Sequence, residues 1–290
     1  MTKANESNRV LDRLGAHGQD YRDPVAQVAW ADADDALPWL PHGLLSVRGL
    51  DNDQANRLSR FEFARLCAAG MWLEGLLISR VTEKGFLGLS TAEARVMLQE
   101  VREESGHSLM FLEMIERAGA AGVELLGTTG LLSWVARRLS PSSPEFWAMV
   151  YVGETVTDTF AIKALREARD GRADLCPVAR QVLDLHHRDE ARHISAARVF
   201  LSNRVGLMTP VRRAAFGHTL RFLLTRFLDA TLYPTPATLA AAGIPNAHQA
   251  ARAVRACPDR RALAAECARP ALDLLARDGL LAQAARQKEA

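Results

Sequence analysis

The sequence predicts an all-α protein built on a four-helix bundle, with a long crossover and additional C-terminal helices. Three observations support this class. The pattern of apolar residues is helical from about residue 56 to 203. Alternating β-branched runs are few, so no substantial sheet is expected. Turn-forming residues divide the helical region into two hairpins separated by a long connection.

The composition of the 290-residue chain excludes several classes of protein. The hydrophobic fraction of 48% allows a substantial buried core, and a net charge of +2 leaves no basic excess for nucleic acid. No secretory signal and no apolar run of about 18 residues is present, so we expect a cytoplasmic protein without a membrane span. The four cysteines form neither a disulfide framework nor a zinc cluster: Cys67, Cys176, Cys257 and Cys267.

Residues 1–55 are predicted to form an irregular N-terminal arm, because three prolines interrupt any long helix there. The apolar side chains of Trp30, Trp39 and Leu40 indicate that the arm packs on the body of the protein.

Residues 56–203 are predicted to form the bundle itself. The second long helix follows Ser90, which has a glutamate three positions later and so matches a capping box. The segment 170–172 is predicted to be the tight turn of the second hairpin. The predicted helices are 56–82, 91–118, a short crossover helix at 131–139, 145–169 and 174–203.

Residues 204–290 are predicted to complete the same domain with further helices. One strong helix is expected at 210–231, and shorter helices are expected in the alanine- and arginine-rich tail from 235 to 290. Two hairpins joined by a long crossover form the arrangement of ferritin-like four-helix bundles.

Carboxylates and histidines recur inside the four predicted bundle helices. Two helices carry a glutamate and a histidine three positions apart, which places both on one helix face. The other two carry a single glutamate within an apolar run, where burial is costly unless the carboxylate meets a cation. The residues are Glu104 with His107, Glu190 with His193, and the single Glu74 and Glu154.

The positions of these glutamates agree with one common level in the bundle. Glu154 and Glu190 each lie 18 positions from Arg172 in the second turn, and Glu74 and Glu104 each lie 15 positions from Leu89 in the first. Antiparallel hairpins turning at these points would bring all four carboxylates to the same height.

This ligand pattern is typical of dimetal carboxylate proteins. Four carboxylates would balance the charge of two ferrous ions, and imidazole nitrogen with carboxylate oxygen suits iron or manganese. His186 lies four positions before Glu190 on the same face as His193, so it is a candidate third nitrogen ligand. His187, about 100° away around the helix, is the competing candidate.

Other residues are candidates for supporting roles. Glu103 and Asp189 each precede a motif glutamate and could accept a hydrogen bond from a histidine across the helix pairs. Asp158 is a third candidate for this role. Tyr151 and Thr157 flank Glu154 and could line a pocket or simply fill the core. Gly70 and Gly153 could leave space for oxygen or substrate.

The motif set resembles the p-aminobenzoate N-oxygenase-like family of arylamine oxygenases, over about residues 55–203. The resemblance rests on Glu74, Glu104-x-x-His107, Glu154 and His186-x-x-x-Glu190-x-x-His193, the extra histidine being the distinguishing feature. It implies a non-haem di-iron oxygenase with these seven side chains as ligands to two Fe ions. It also implies dioxygen as co-substrate, a small aromatic amine as substrate, oxidation towards a hydroxylamine, nitroso or nitro group, and an external electron donor.

Two other functions remain open at this point. The same metal site could support C–H hydroxylation, desaturation or oxidative cleavage, and a ferritin-like protein could store iron or consume peroxide. His186 and the long C-terminal extension favour an enzyme over a storage protein. A homodimer is compatible with the exposed apolar faces that helical bundles often carry.

Overall fold

The computed structural model of the chain describes residues 3–17, 20–84, 89–127 and 129–281, and its regular secondary structure in these ranges is helical. No β-strand occurs in these ranges, so the predicted all-α class is confirmed. The α-helices are α1 (Lys3–His17), α2 (Pro24–Gln27), α3 (Asn52–Lys84), α4 (Thr91–Arg117), α5 (Gly130–Ala136), α6 (Pro144–Arg169), α7 (Pro177–Val205), α8 (Pro210–Leu232), α9 (Pro236–Ala241), α10 (Ala247–Ala256) and α11 (Pro258–Arg277).

Four long helices form a ferritin-like bundle. Helices α3 and α4 make one hairpin, α6 and α7 make the other, and α5 lies in the crossover between them. The second hairpin turns at residues 170–172, where Gly171 has a φ of 71°, a conformation that glycine adopts without strain. In the first turn, residues 85–88 lie outside the described ranges.

Local signals in the sequence explain where the bundle helices begin. Ser90 accepts a hydrogen bond from the backbone of Glu93, and the Glu93 side chain accepts one from the backbone of Ser90, so the predicted capping box is present. The Ser143 hydroxyl accepts a hydrogen bond from the backbone N–H of Phe146 and so caps α6, and α6 and α7 each have a proline in the first turn. These caps fix the helix starts.

The N-terminal segment differs from the irregular arm that the sequence predicts, because residues 3–17 form helix α1. Few apolar side chains are available in this helix to mark its periodicity, and Leu11 is fully buried. Its contacts with α4 and α7 provide the stabilisation that its sequence pattern does not reveal. Farther along, Trp39 and Leu40 are buried in the main core.

The C-terminal helices cover the bundle. Helix α8 contacts α3, α5 and α6, whereas α11 packs along α6. The tail was expected to contain only shorter helices, but α11 has 20 residues and continues through Pro270. Residues 282–290 of the predicted tail lie outside the described part. Among the helices described, none combines the length and the apolar character needed to cross a membrane.

Candidate metal centre

The two single glutamates lie in the interior of the bundle. Glu74 is on α3 and Glu154 is on α6, and their exposed fractions are 1% and 2%. Both sit within apolar runs, so the helices that bury the flanking side chains also carry the carboxylates inward. A buried carboxylate needs a compensating cation or hydrogen-bond donors.

Three histidines meet these carboxylates. His107 comes from α4, while His186 and His193 come from α7, and all three are buried. The ring centroid of His107 lies 5.0 Å from that of His186 and 5.6 Å from that of His193. The structure therefore brings side chains of four different helices into one interior cluster.

Glu104 and Glu190 occupy the middle of this cluster. Glu190 Oε1 lies 3.1 Å from His186 Nε2, 3.3 Å from His193 Nδ1 and 3.8 Å from His107 Nδ1. The carboxylate of Glu104 lies 3.3 Å from His107 Nδ1 and 3.1 Å from His193 Nδ1. Each of these two carboxylates therefore contacts more than one histidine, as a bridging ligand would.

Glu74 lies on the His186 side of the cluster. Its Oε1 is 3.8 Å from His186 Nε2, and its Oε2 accepts a hydrogen bond of 2.5 Å from Ser108 Oγ. The serine hydroxyl leaves Oε1 as the oxygen that faces the histidines. Ser108 was not a candidate in the sequence, and only its position next to His107 hinted at this role.

Among the described residues, the donor atoms fall into three overlapping groups, and in each group the ligand atoms lie within 4.8 Å of one another. Two groups consist only of candidate ligands and could each hold a metal ion: Glu104, His107, Glu190 and His193, and Glu74, His107 and His186. The third group contains Glu100, Glu103 and His193. Glu154 belongs to none of these groups, although its charge interacts with those of Glu190, Glu104 and Glu74.

Within the described part of the chain, four buried carboxylate oxygens in the cluster make no hydrogen bond: Glu74 Oε1, Glu104 Oε1, Glu154 Oε1 and Glu190 Oε2. Glu104 Oε1 has only the 3.1 Å contact with His193 Nδ1. Buried polar atoms are nearly always satisfied in folded proteins, so four of them together indicate a missing positive partner. Oxygen and imidazole nitrogen donors suit divalent iron or manganese. The residues present therefore fit a dimetal centre.

The pKa shifts show how strongly this cluster attracts positive charge. Burial lowers the pKa of His186, but Glu190 and Glu74 outweigh it and raise that pKa to about 10. Burial likewise opposes protonation of His107, whereas Asp189 and Glu104 raise its pKa to about 9. Burial, reinforced by Glu190 and Glu104, raises the pKa of Glu154 well above its usual range. A cation entering the cluster would stabilise the charged form of the buried carboxylates, and it would take the place of the protons that they otherwise favour on the histidines.

Two acidic residues hold the outer nitrogens of the histidines. Asp189 on α7 lies 3.1 Å from Nε2 of His107 on α4, while Glu103 on α4 lies 3.0 Å from Nε2 of His193 on α7. The arrangement is reciprocal between the two helices. Each contact leaves Nδ1 facing the central carboxylates, the orientation that carboxylate–histidine–metal triads use.

Glu103 is itself fixed by cations. Arg192 donates a hydrogen bond to Oε2 of Glu103, and Arg102 lies 3.3 Å from Oε1. Burial raises the pKa of Glu103, but His193 and Arg192 outweigh it, so the net shift is downward. Arg192 falls inside the Asp189–His193 motif, but the sequence alone gave it no role.

The structure separates His186 from the competing His187. His187 is partly exposed, and its Nδ1 lies 2.5 Å from Asp158 Oδ1 instead of facing the cluster. Asp158 therefore partners His187 and not one of the three clustered histidines. Thr157 donates to the backbone oxygens of Gly153 and Glu154, and Tyr151 is part of the hydrophobic core.

The spaces beside two helical glycines are filled. A Cβ on Gly70 would lie 2.5 Å from the ring of Phe111, and a Cβ on Gly153 would lie 2.5 Å from Leu73. The expectation that Gly70 and Gly153 leave room for oxygen or substrate is therefore wrong. The glycines instead allow a close approach of neighbouring side chains.

Comparison with known proteins places the chain among related sequences. It is 32% identical to uncharacterized protein Rv0885 of Mycobacterium tuberculosis and to uncharacterized protein Mb0909 of Mycobacterium bovis. Each match extends over 167 residues, 56% of this chain and 46% of the relative. The chain thus spans about half the length of the curated relatives it matches.

Two solved structures are similar over most of the chain. Both are variants of an R2-like ligand-binding oxidase with an aerobically reconstituted Mn/Fe cofactor, and both are 14% identical in sequence. Their TM-scores are 0.49 and 0.47, over 94% of this chain and 92% and 93% of those chains.

The family match covers more of the chain than the 167 residues matched by the two mycobacterial proteins. The profile of P-aminobenzoate N-oxygenase AurF matches residues 4–279, which include all seven candidate ligands and the C-terminal helices α8 to α11. The chain belongs to the p-aminobenzoate N-oxygenase AurF family.

Proposed function

We propose that the chain is a non-haem di-iron oxygenase that uses dioxygen to oxidise a small aromatic amine. One observation carries this proposal: four buried carboxylates with unpartnered oxygens converge with three buried histidines from α4 and α7. Family membership supports amine oxidation as the reaction class. The proposed course is N-oxygenation towards a hydroxylamine, nitroso or nitro group, with electrons from an external donor.

The proposed ligands to the two Fe ions are Glu74, Glu104, His107, Glu154, His186, Glu190 and His193. Glu104 and Glu190 are the proposed shared ligands, because each lies between two or more histidines. Glu74 and Glu154 come from α3 and α6 and would close the site from those two helices. The four carboxylates neutralise the charge of two divalent ions, so burial of the loaded site is tolerable.

Bound ferrous ions would supply electrons for the reduction of dioxygen. The chain's own contribution is to hold the ligands and to exclude water. Asp189 and Glu103 fix the ring orientation of His107 and His193, and Ser108 orients Glu74. Phe111, whose ring centroid lies 4.9 Å from that of His186, adds an apolar wall beside the cluster.

Iron stoichiometry tests the ligand assignment. Anaerobic reconstitution of the wild-type chain with ferrous iron should give two irons per chain, and Glu74→Ala should reduce this to about one or less. Glu116→Ala is the matched control, because Glu116 is an exposed glutamate of α4. Retention of two irons by Glu74→Ala would exclude Glu74 as a ligand, and many irons per chain in the wild type would indicate a storage protein.

Product analysis tests the reaction class. The reconstituted chain should consume dioxygen in the presence of a reductant and an aromatic amine, and mass spectrometry should detect oxygen on the amine nitrogen. Use of ¹⁸O₂ should place the label in that product. Labelled oxygen found only on carbon would instead indicate C–H hydroxylation at the same site.

A further inference from the structure

An apolar cavity lies beside the proposed metal centre. Its walls come from α3, α5, α6, α8 and the residues after α5, and every side chain that lines it is hydrophobic. The cavity does not overlap the carboxylate and histidine cluster, whose residues are absent from its walls. It is therefore a separate feature of the fold.

Size and chemistry restrict what this cavity can hold. Its free volume is about 40 Å³, far below the roughly 150 Å³ of an apolar cavity that accepts benzene. A water molecule would fit but would lack polar partners, because the indole N–H of Trp72 is already donated to Ser133 Oγ. A small apolar molecule of two or three atoms matches both the size and the lining.

The inner end of the cavity adjoins the helices that carry the two single glutamates. Leu77 lies three positions after Glu74 on α3, and Val150 lies four positions before Glu154 on α6, so each lines the cavity one turn from a glutamate. Between them, the Leu73 side chain packs against Gly153, the residue before Glu154. Leu73, a lining residue that precedes Glu74, therefore contacts the turn of α6 that carries Glu154.

The outer end of the cavity approaches the protein surface. Trp72, Leu76, Leu139 and Met149 line it and are only partly buried, whereas Leu73, Leu77 and Val150 at the inner end are buried. The lining thus extends from partly exposed residues to the turns of α3 and α6 that carry the glutamates. It offers an apolar path inward that contains no charged side chain.

We propose that this cavity is the entry and holding site for dioxygen on its way to the metal centre. Dioxygen is a small, uncharged and apolar molecule, and it partitions into an apolar cavity that excludes water and ions. The oxygen role rests on the proposed function, since it requires a centre that reacts with dioxygen. The size of the cavity also implies that the larger amine approaches the centre from another side.

Xenon binding tests the cavity without any metal. Crystals of the full chain pressurised with xenon should show one xenon atom in contact with Val150 and Leu224, two of the lining residues. Ala136→Val adds two methyl groups to a buried lining residue and should remove most of that occupancy. Ala215→Val, on the exposed face of α8, makes the same chemical change outside the cavity and should leave occupancy unchanged. Absence of xenon from the wild-type cavity would overturn the proposal.

Oxygen kinetics test the role of the cavity. With ferrous iron loaded to the same stoichiometry, Ala136→Val should lower the second-order rate of reaction with dioxygen by about threefold or more, and Ala215→Val should not. If Ala136→Val does not fold, Val150→Ile takes its place in the test, because it adds one methyl group to another residue that lines the cavity. A variant that excludes xenon yet reacts with dioxygen at the wild-type rate would overturn the oxygen route alone. No reaction of the wild type would overturn the proposed function as well.

Discussion

His107 and His193 each have one nitrogen facing the central carboxylates and the other facing an acidic residue. The outer partners are Asp189 and Glu103, and each belongs to the helix opposite to its histidine. This reciprocal arrangement sets both ring orientations before any ion binds. It also makes Asp189 and Glu103 positioning residues in the proposed centre, since neither needs to touch the metal.

Asp189→Asn should weaken iron binding without unfolding the chain. The amide keeps the shape of the side chain but no longer provides a full negative charge to His107, so ferrous affinity should fall by about 10- to 100-fold. Competition with a chelator measures this affinity, and circular dichroism checks the fold. Asp184→Asn is the control, because Asp184 is exposed on the same helix and pairs with Arg188. An unchanged affinity in Asp189→Asn would show that this contact does not support the centre.

At the scale of the helices, the approach of α6 to α3 depends on Gly153. The Leu73 side chain fills the place where a Cβ would project, with Cδ2 at 2.5 Å and Cδ1 at 2.8 Å from that position. Because Glu74 and Glu154 adjoin this contact in sequence, it helps to set the separation of the two helices at the proposed centre. Gly75, also on a helix of the bundle, is exposed and has open space around it.

Alanine substitutions at Gly153 and Gly75 should have opposite effects on stability. Gly153→Ala forces Leu73 to move and should lower the free energy of unfolding by about 1–3 kcal/mol. Gly75→Ala should raise it by about 0.5–1 kcal/mol, because alanine favours a helix and meets no obstacle. Urea denaturation of both variants provides the measurement. Equal effects of the two substitutions would show that the Leu73 contact imposes no constraint.

The bundle helices could be predicted from the sequence because their signals are local. Ser90 and Glu93 mark the start of α4 within four residues, and the predicted capping box is present. The packing of α1 and α11 could not be predicted in the same way. Helix α1 is stabilised by contacts with α4 and α7, and α11 packs along α6 with Pro270 inside it. The packing of these two helices depends on contacts between segments that are distant in sequence, and no local sequence pattern predicts those contacts.

At the scale of the whole molecule, the grouping of the candidate ligands could be predicted from the sequence, because the spacing of residues along a helix determines which face of the helix each side chain lies on. The same reasoning placed His186 on the face of Glu190, where the structure has it 3.1 Å from that carboxylate. The sequence could not predict Ser108 beside Glu74, which depends on how α4 lies against α3. It also gave no sign of a second buried ionic group far from the cluster.

That group joins distant parts of the fold. Glu62 on α3 pairs with Arg65 of the same helix and with Arg260 at the start of α11, and all three are fully buried. Arg65 and Arg260 also donate to backbone oxygens of Thr231 and Leu232 at the end of α8. A further hydrogen bond from Arg260 reaches Leu44 in the N-terminal segment. The group therefore links the bundle to the helices and segment that cover it.

Glu62→Gln should destabilise the chain at neutral pH by about 3–5 kcal/mol, because it leaves two buried arginines without their carboxylate. Burial disfavours the charged carboxylate, but Arg260 and Arg65 outweigh burial and hold the pKa of Glu62 below its ordinary value. A carboxyl group whose pKa is lower in the folded state contributes stability above its unfolded pKa of about 4.3, and this contribution is lost as the pH falls.

The difference in unfolding free energy between wild type and Glu62→Gln should therefore be constant near pH 7 and shrink as the pH falls below about 4. Urea denaturation across a pH series measures it. Glu116→Gln, at an exposed position of α4, should show little difference at any pH. A difference for Glu62→Gln that does not change with pH would mean that the charge of Glu62 contributes nothing and that the loss comes only from replacing an accepting oxygen by an amide group.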